Sequence, residues 1–149
     1  MPLNKSTRRR AGAGVFVTLG SLFAFAVFSY FNFRSVVVSG QSMLPTFNSG
    51  DHVLVCSAYW LVGPVKPKDV VVVKSPEDGG FIIKRVYKLA GQVVDWYNIP
   101  KTWSLKSGQY IVPQGCIYVL GDNREVSEDS RAFGPVEDND IIGKVVLRP

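Results

Sequence analysis

From Ala11 to Phe33 the chain runs for 23 residues without a charge, and no other feature constrains it as strongly. At 1.5 Å per residue, a helix of that length covers a hydrocarbon core of roughly 30 Å. No polar face recurs along it, so it does not read as the surface helix of a soluble domain. Tyr30 and Phe33 stand near its end, where aromatic rings favour a membrane interface. Lys5, Arg8, Arg9 and Arg10 precede it and Arg34 follows it. Cationic clusters are retained on the cytoplasmic side. The sequence therefore predicts a basic cytoplasmic tail over 1–10, a transmembrane helix over 11–33 and an external domain over 35–149. A cleaved leader is the competing reading. Its apolar region would be about 7–15 residues long and end at small residues. Here the stretch is longer and runs into Phe31-Asn32-Phe33-Arg34, which favours an anchor that is kept.

Charge placement narrows the partners. The net charge is +5, but residues 1–34 hold five cations and no acid. That leaves 12 of the 17 Lys and Arg against all 12 Asp and Glu, so the external part is balanced. A nucleic-acid binder would carry a basic face on its folded part, and no nucleic acid is expected as a partner. The bilayer is. With 46% hydrophobic residues, the chain has enough apolar surface to fold around a core. Two cysteines, Cys56 and Cys116, exclude a disulfide scaffold or zinc ribbon and leave a single bridge open. One histidine, His52, excludes a histidine-cluster metal site.

After Arg34 the pattern turns to short apolar runs rich in Val, Ile and Tyr, separated by Gly, Pro, Asp and Asn. Such runs read as strands. They are expected at Val36–Ser39, His52–Ser57, Val70–Lys74, Phe81–Leu89, Gln92–Tyr97, Gly108–Val112, Ile117–Leu120 and Ile141–Leu147. Turns fall at Asn48–Asp51, Pro64–Pro67, Asp78–Gly80 and Pro113–Gly115. No segment here has the length and 3.6 period of a good helix. The fold class is mostly β, a small folded-sheet or barrel-like domain behind one N-terminal transmembrane helix.

A nucleophilic serine needs a base. His52 alternates with Val53 and Val55 and is expected on the solvent face of a strand, which argues against a Ser-His-Asp triad. A lysine can serve instead, provided that burial lowers its pKa by several units from about 10.4. Lys66, Lys68, Lys101 and Lys106 lie beside turns or acids. Lys84 sits within Phe81-Ile82-Ile83-Lys84-Arg85-Val86-Tyr87, and alternation puts it on the face of Ile82 and Val86. The candidate serine is Ser42, in Ser39-Gly40-Gln41-Ser42-Met43-Leu44-Pro45-Thr46. There Gly40 permits unusual dihedrals and Pro45 fixes the backbone. A backbone N–H at this turn suits a developing oxyanion. The third element is the polar stretch Gly121-Asp122-Asn123-Arg124-Glu125-Val126-Ser127-Glu128-Asp129-Ser130-Arg131. Taken singly, these are a snorkelling lysine, an ordinary turn and a solvated loop. Tyr59-Trp60-Leu61-Val62 suits either an interfacial contact or core packing.

Taken together, the Ser42 segment, the Gly50–Val55 strand, the Lys84-Arg85 strand and the Gly121–Arg131 loop resemble type I signal peptidases, in the same order and over most of residues 36–136. The pattern Gly-Asp-Asn-x-x-x-Ser-x-Asp-Ser-Arg is the most specific of the four. The resemblance implies Ser42 as nucleophile and Lys84 as general base, with Ser127 orienting the lysine amine. It implies an Asp129–Arg131 ion pair and an Asp122–Arg85 pair as structural support. Half of the oxyanion hole would be the Ser42 backbone N–H. In some members a serine two residues earlier supplies the other half. Here that position is Gly40, which leaves the second donor to a backbone group or water. Lys88-Leu89-Ala90-Gly91-Gln92 replaces the Gly-x-Pro-Gly-Asp turn common in the family, and the span from Lys84 to Gly121 has no room for a second domain.

The resemblance implies a membrane-bound serine endopeptidase that removes signal peptides from exported preproteins after small residues, without a cofactor. An extended substrate would add as a strand beside Val36–Ser39. A bacterial plasma membrane is favoured, because no Arg- and Ser-rich transit peptide precedes the anchor. A mitochondrial inner-membrane presequence peptidase is the alternative. A self-cleaving regulator would carry a DNA-binding head in place of the anchor. An inactive membrane-tethered peptide-binding β-domain would not require Ser42 and Lys84.

Overall fold

The computed structural model describes residues 5–77 and 79–147. Two compact units are divided between Phe33 and Arg34. In the first, helix α1 spans Lys5–Asn32, and its stretch Val15–Asn32 is long and apolar enough to cross a membrane. The few polar side chains in that stretch turn back onto the helix. Thr18 donates to the Val15 carbonyl, Ser21 to Val17 and Asn32 to Phe28. Bonds of this kind spare a polar group the cost of standing unpaired in an apolar medium.

The rest of the chain is mostly β. Strand β1 (Phe33–Val37) leads to β2 (His52–Cys56), the one-turn helix α2 (Tyr59–Val62), β3 (Val70–Lys74) and β4 (Phe81–Leu89). Then come β5 (Val93–Val94), β6 (Tyr110–Ile111), β7 (Cys116–Leu120), the one-turn helix α3 (Ser130–Phe133), β8 (Val136–Glu137) and β9 (Ile141–Leu147). Seven strands form one sheet in the order β1-β2-β9-β3-β4-β7-β8, and β5 and β6 form a separate ribbon. Register shifts interrupt the β2–β9, β3–β9 and β4–β7 pairs. Bulges of this sort add twist and bend a strand, and the sheet curls.

The core lies on both faces of the curl. Strand β3 is the centre, and its four valines are buried, as a strand covered on two sides requires. Val70 and Val72 join Val38, Met43, Phe47, Val53, Val55 and Ile83. Val71 and Val73 join Val86, Ile117, Val119 and Val136. A third cluster, with Val94, Tyr110, Val112, Tyr118 and Leu120, seats the ribbon.

Several boundaries differ from the sequence reading. Helix α1 ends at Asn32, and the first strand takes Phe33–Val37 instead of Val36–Ser39. Strand β5 stops at Val94, because Asp95 opens a turn. Asn98 donates its backbone N–H to the Asp95 carbonyl at 3.0 Å and its side-chain amide to the Asp95 carboxylate at 2.9 Å, an arrangement that competes with a ladder. Strand β6 is likewise confined to Tyr110–Ile111. Strand β8 and helices α2 and α3 are too short to leave a periodic signal. His52 is exposed at the start of β2. Cys56 and Cys116 are both free thiols, so the bridge does not form. The Tyr59–Val62 segment divides between the two roles considered for it: the Tyr59 hydroxyl is buried, while Trp60 and Leu61 are exposed.

Candidate active site

Ser42 sits on a turn pinned by its neighbours. Val38 donates to the Asp51 carbonyl and Gly50 to Val38, both with short backbone bonds. Met43 and Phe47 plug into the core, which leaves Ser42 half-buried between them. Gly40, at φ +85°, makes the sharp bend that a residue with a Cβ adopts only under strain.

Lys84 reaches the same place from the sheet. It opposes Val71 across the β3–β4 ladder and is 4% exposed. Burial pushes its amine below the ordinary lysine value. Asp129 and Glu128 pull the other way, and Arg131 adds to the lowering. The net shift is downward, as expected when desolvation of the ammonium outweighs nearby acids. Ser42 and Lys84 line two adjoining hollows. One is apolar, walled by Val36, Val37, Val38, Val72 and Ile83. The other is more polar, walled by Gly40, Gln41, Val126 and Glu128.

The Gly121–Arg131 loop closes this site from the third side. Arg85 pairs with Leu120 across β4 and β7, so continuing the register brings Gly121 beside Lys84. A Cβ on Gly121 would lie 2.1 Å from Ser127 Oγ and 2.6 Å from the Ser42 carbonyl oxygen. Only glycine allows the loop and the serine turn to approach so closely. Asn123 N–H donates to that Ser42 carbonyl at 2.9 Å. The Ser127 hydroxyl is buried there, and no hydrogen bond of good geometry holds it.

Two ion pairs brace the loop. Asp129 is fully buried and meets Arg131 Nε at 2.9 Å. It also accepts the Gly121 N–H at 2.9 Å. Burial works against the Asp129 carboxylate, but the Arg131 and Gly121 bonds prevail and hold its pKa below the usual carboxylate range. Asp122 meets Arg85 at 2.5 Å and accepts from the Thr46 hydroxyl at 2.5 Å. Burial again opposes ionisation, and the Arg85 and Thr46 bonds outweigh it.

The chain matches the family described as signal peptidase, peptidase S26, over residues 10–99 and 97–148. It belongs to that family. Signal peptidase I of Bacillus caldolyticus is 32% identical over 151 residues, covering 83% of this chain and 82% of the relative. The mitochondrial ATP-independent inner membrane protease subunit 1a of Arabidopsis thaliana is 39% identical over 113 residues, covering 74% and 67%. A crystal structure of a signal peptidase I from Enterococcus faecalis aligns at a TM-score of 0.43 and 25% identity, over 56% of this chain and 97% of that one. As a signal peptidase this chain is a serine peptidase, a hydrolase, and its family implies preproteins bearing signal peptides as substrates.

Within this signal peptidase, Ser42, Lys84, Ser127 and Gly40 come together around one cleft. Asp122, Arg85, Asp129 and Arg131 stand just behind it. Three contributors were not read from sequence. Thr46 ties the serine turn to the Asp122–Arg85 pair. Ser130 Oγ accepts the Val119 N–H at 3.0 Å. Glu128 lines the cleft. Each lies within a matched segment, but nothing in residue type alone separates them from ordinary loop residues. Among the described residues no group of three His, Cys, Asp or Glu gathers as for a metal ion.

Proposed function

We propose that Ser42 and Lys84 are the catalytic dyad of a membrane-bound endopeptidase that removes N-terminal signal peptides from exported preproteins. One observation carries this reading: a lysine amine, buried and lowered in pKa, shares a cleft with a half-buried serine. Neutral Lys84 takes the proton from Ser42 Oγ, which attacks the scissile carbonyl. The tetrahedral intermediate collapses as Lys84 passes that proton to the leaving amine. Water activated by the same lysine then hydrolyses the acyl-enzyme. The Ser42 backbone N–H faces the developing oxyanion. Ser127 orients the Lys84 amine, and the Asp129–Arg131 and Asp122–Arg85 pairs hold the loop that presents it.

The substrate lies extended between Val36–Ser39 and Phe81–Lys84, which wall the apolar hollow. Pairing of β4 with β7 begins only at Arg85, so among the described residues the Phe81–Lys84 half has no strand on that side. A free ladder edge can take an added strand. The hollow suits small apolar side chains before the cut.

Helix α1 is the anchor, with residues 1–10 in the cytoplasm and the domain from residue 35 outside, in a bacterial plasma membrane. Tethering raises the effective concentration of enzyme near substrates held in the same bilayer. The 39% identity to the Arabidopsis inner-membrane protease subunit favours a second reading, a mitochondrial inner-membrane presequence peptidase with the same dyad. Ser42→Ala and Lys84→Ala, each purified in detergent, should leave a preprotein uncut while unfolding at a temperature close to wild type. Full processing by either variant refutes the dyad. Processing of bacterial preproteins but not mitochondrial precursors supports the first setting, and the reverse supports the second.

A further inference from the structure

The dyad stands between two unlike hollows. On one side lies the valine-lined slot. On the other lies a cleft whose lining includes Gly40, Gln41, Val126 and Glu128, with Ser42, Lys84, Ser39 and Ile82 common to both. Cleavage needs both sides filled. The acyl half of the substrate stays on Ser42, and the amine half departs past the group that protonates it. If Lys84 is that group, the first residues after the cut pass through the second cleft.

Glu128 is the one acid on that wall. Its neighbour Asp129 is fully buried and paired with Arg131, so its charge is turned inward and compensated. Glu128 is exposed, and it is close enough to Lys84 to act on that amine electrostatically. A charge that acts on Lys84 also acts on whatever leaves past Lys84.

We propose that Glu128 is a specificity-determining residue for the leaving side of the cut, favouring cationic and disfavouring acidic residues in the first two positions of the mature chain. The inference rests on the Ser42–Lys84 reading. An exposed charge pair changes an equilibrium by about 2- to 5-fold. Exchanging a cation for an anion changes the interaction twice, so the preference for lysine over aspartate is about 3- to 10-fold at low salt. It shrinks with added salt, because the cleft is open to solvent.

The experiment uses the full chain in a nonionic detergent and three peptides. Each carries the same signal-peptide end with an Ala-x-Ala cleavage site, followed by Lys, Gln or Asp. The quantity read is the ratio of kcat/KM for the lysine peptide to that for the aspartate peptide. Wild type should give about 3 to 10, Glu128→Gln a ratio near one, and Glu128→Lys a ratio below one. A wild-type ratio near one, or a ratio that Glu128→Lys leaves unchanged, overturns the proposal while the dyad stands. Cleavage of all three peptides by Ser42→Ala overturns the dyad, and the proposal with it.

Discussion

Replacing Gly121 with alanine probes how tightly the site is assembled. The new methyl group would lie 2.4 Å from Ser127 Cβ and 2.6 Å from the Ser42 carbonyl oxygen, where ordinary contact begins at 3.4 Å. Relief therefore requires Ser127 to retreat by about 1.0 Å and the Ser42 carbonyl by about 0.8 Å, the differences between those distances. Neither can move freely. The Ser42 carbonyl is held by Asn123 N–H at 2.9 Å, and Ser127 N–H donates to the Asn123 carbonyl at 3.0 Å. Gly121 is itself tied to Asp129. Overpacking of this kind costs about 1–3 kcal/mol, and a 1 Å misplacement of reacting groups costs about 100-fold in rate. The variant should thus remain folded with a lowered unfolding midpoint, while kcat/KM on a preprotein falls by about 100-fold. Adding Ser127→Gly to the variant removes the two Ser127 contacts but leaves the Ser42 one, so it should recover part of the stability and little of the rate. Wild-type kcat/KM in Gly121→Ala would refute the claim that this close approach sets the position of Ser42.

The pH profile and the buried acid give two further expectations. Activity should fall as pH drops through the Lys84 value, because protonated Lys84 cannot accept the serine proton. Burial lowers that value, so the acidic limb should lie well below the ordinary lysine range; kcat/KM measured from pH 5 to 10 checks this, and a flat profile excludes a lysine base. Asp129→Asn leaves Arg131 unpaired within the loop and should destabilise by about 3–5 kcal/mol, read by urea unfolding. The folded-state pKa of Asp129 lies below its unfolded value. Its stabilising effect is therefore present above the ordinary carboxylate range and is lost as pH falls through the lowered value. The variant and wild type should accordingly converge in stability in strong acid, and a constant gap between them down to pH 2 would refute the assignment.

Much of the site is legible in the sequence because the matched segments keep both residue type and order. Lys84 illustrates where that legibility stops. Alternation along Phe81–Tyr87 gives its face, yet whether that face is wet or dry depends on Val71 across the ladder and on a loop that returns nearly forty residues later. Glu128 and Asp129 make the same point more sharply. They are adjacent acids of the same class, but one opens on the cleft and the other is sealed against Arg131. The extended reading of Gln92–Tyr97 failed for a local reason, since the Asp95 carboxylate captures Asn98 and ends the strand.

What the sequence determined alone is what short-range periodicity and composition can carry. That includes the uncharged helix before Asn32, the β character of everything after it, and the faces of β3 and β4. Only the tertiary structure decided which lysine is dry, which acid is exposed, and that the two cysteines remain apart. It also decided that Gly121 is small because Ser127 and Ser42 converge on it. These are contacts between residues far apart in the chain. They depend on where the curled sheet brings the loops together, and no local pattern encodes that distance.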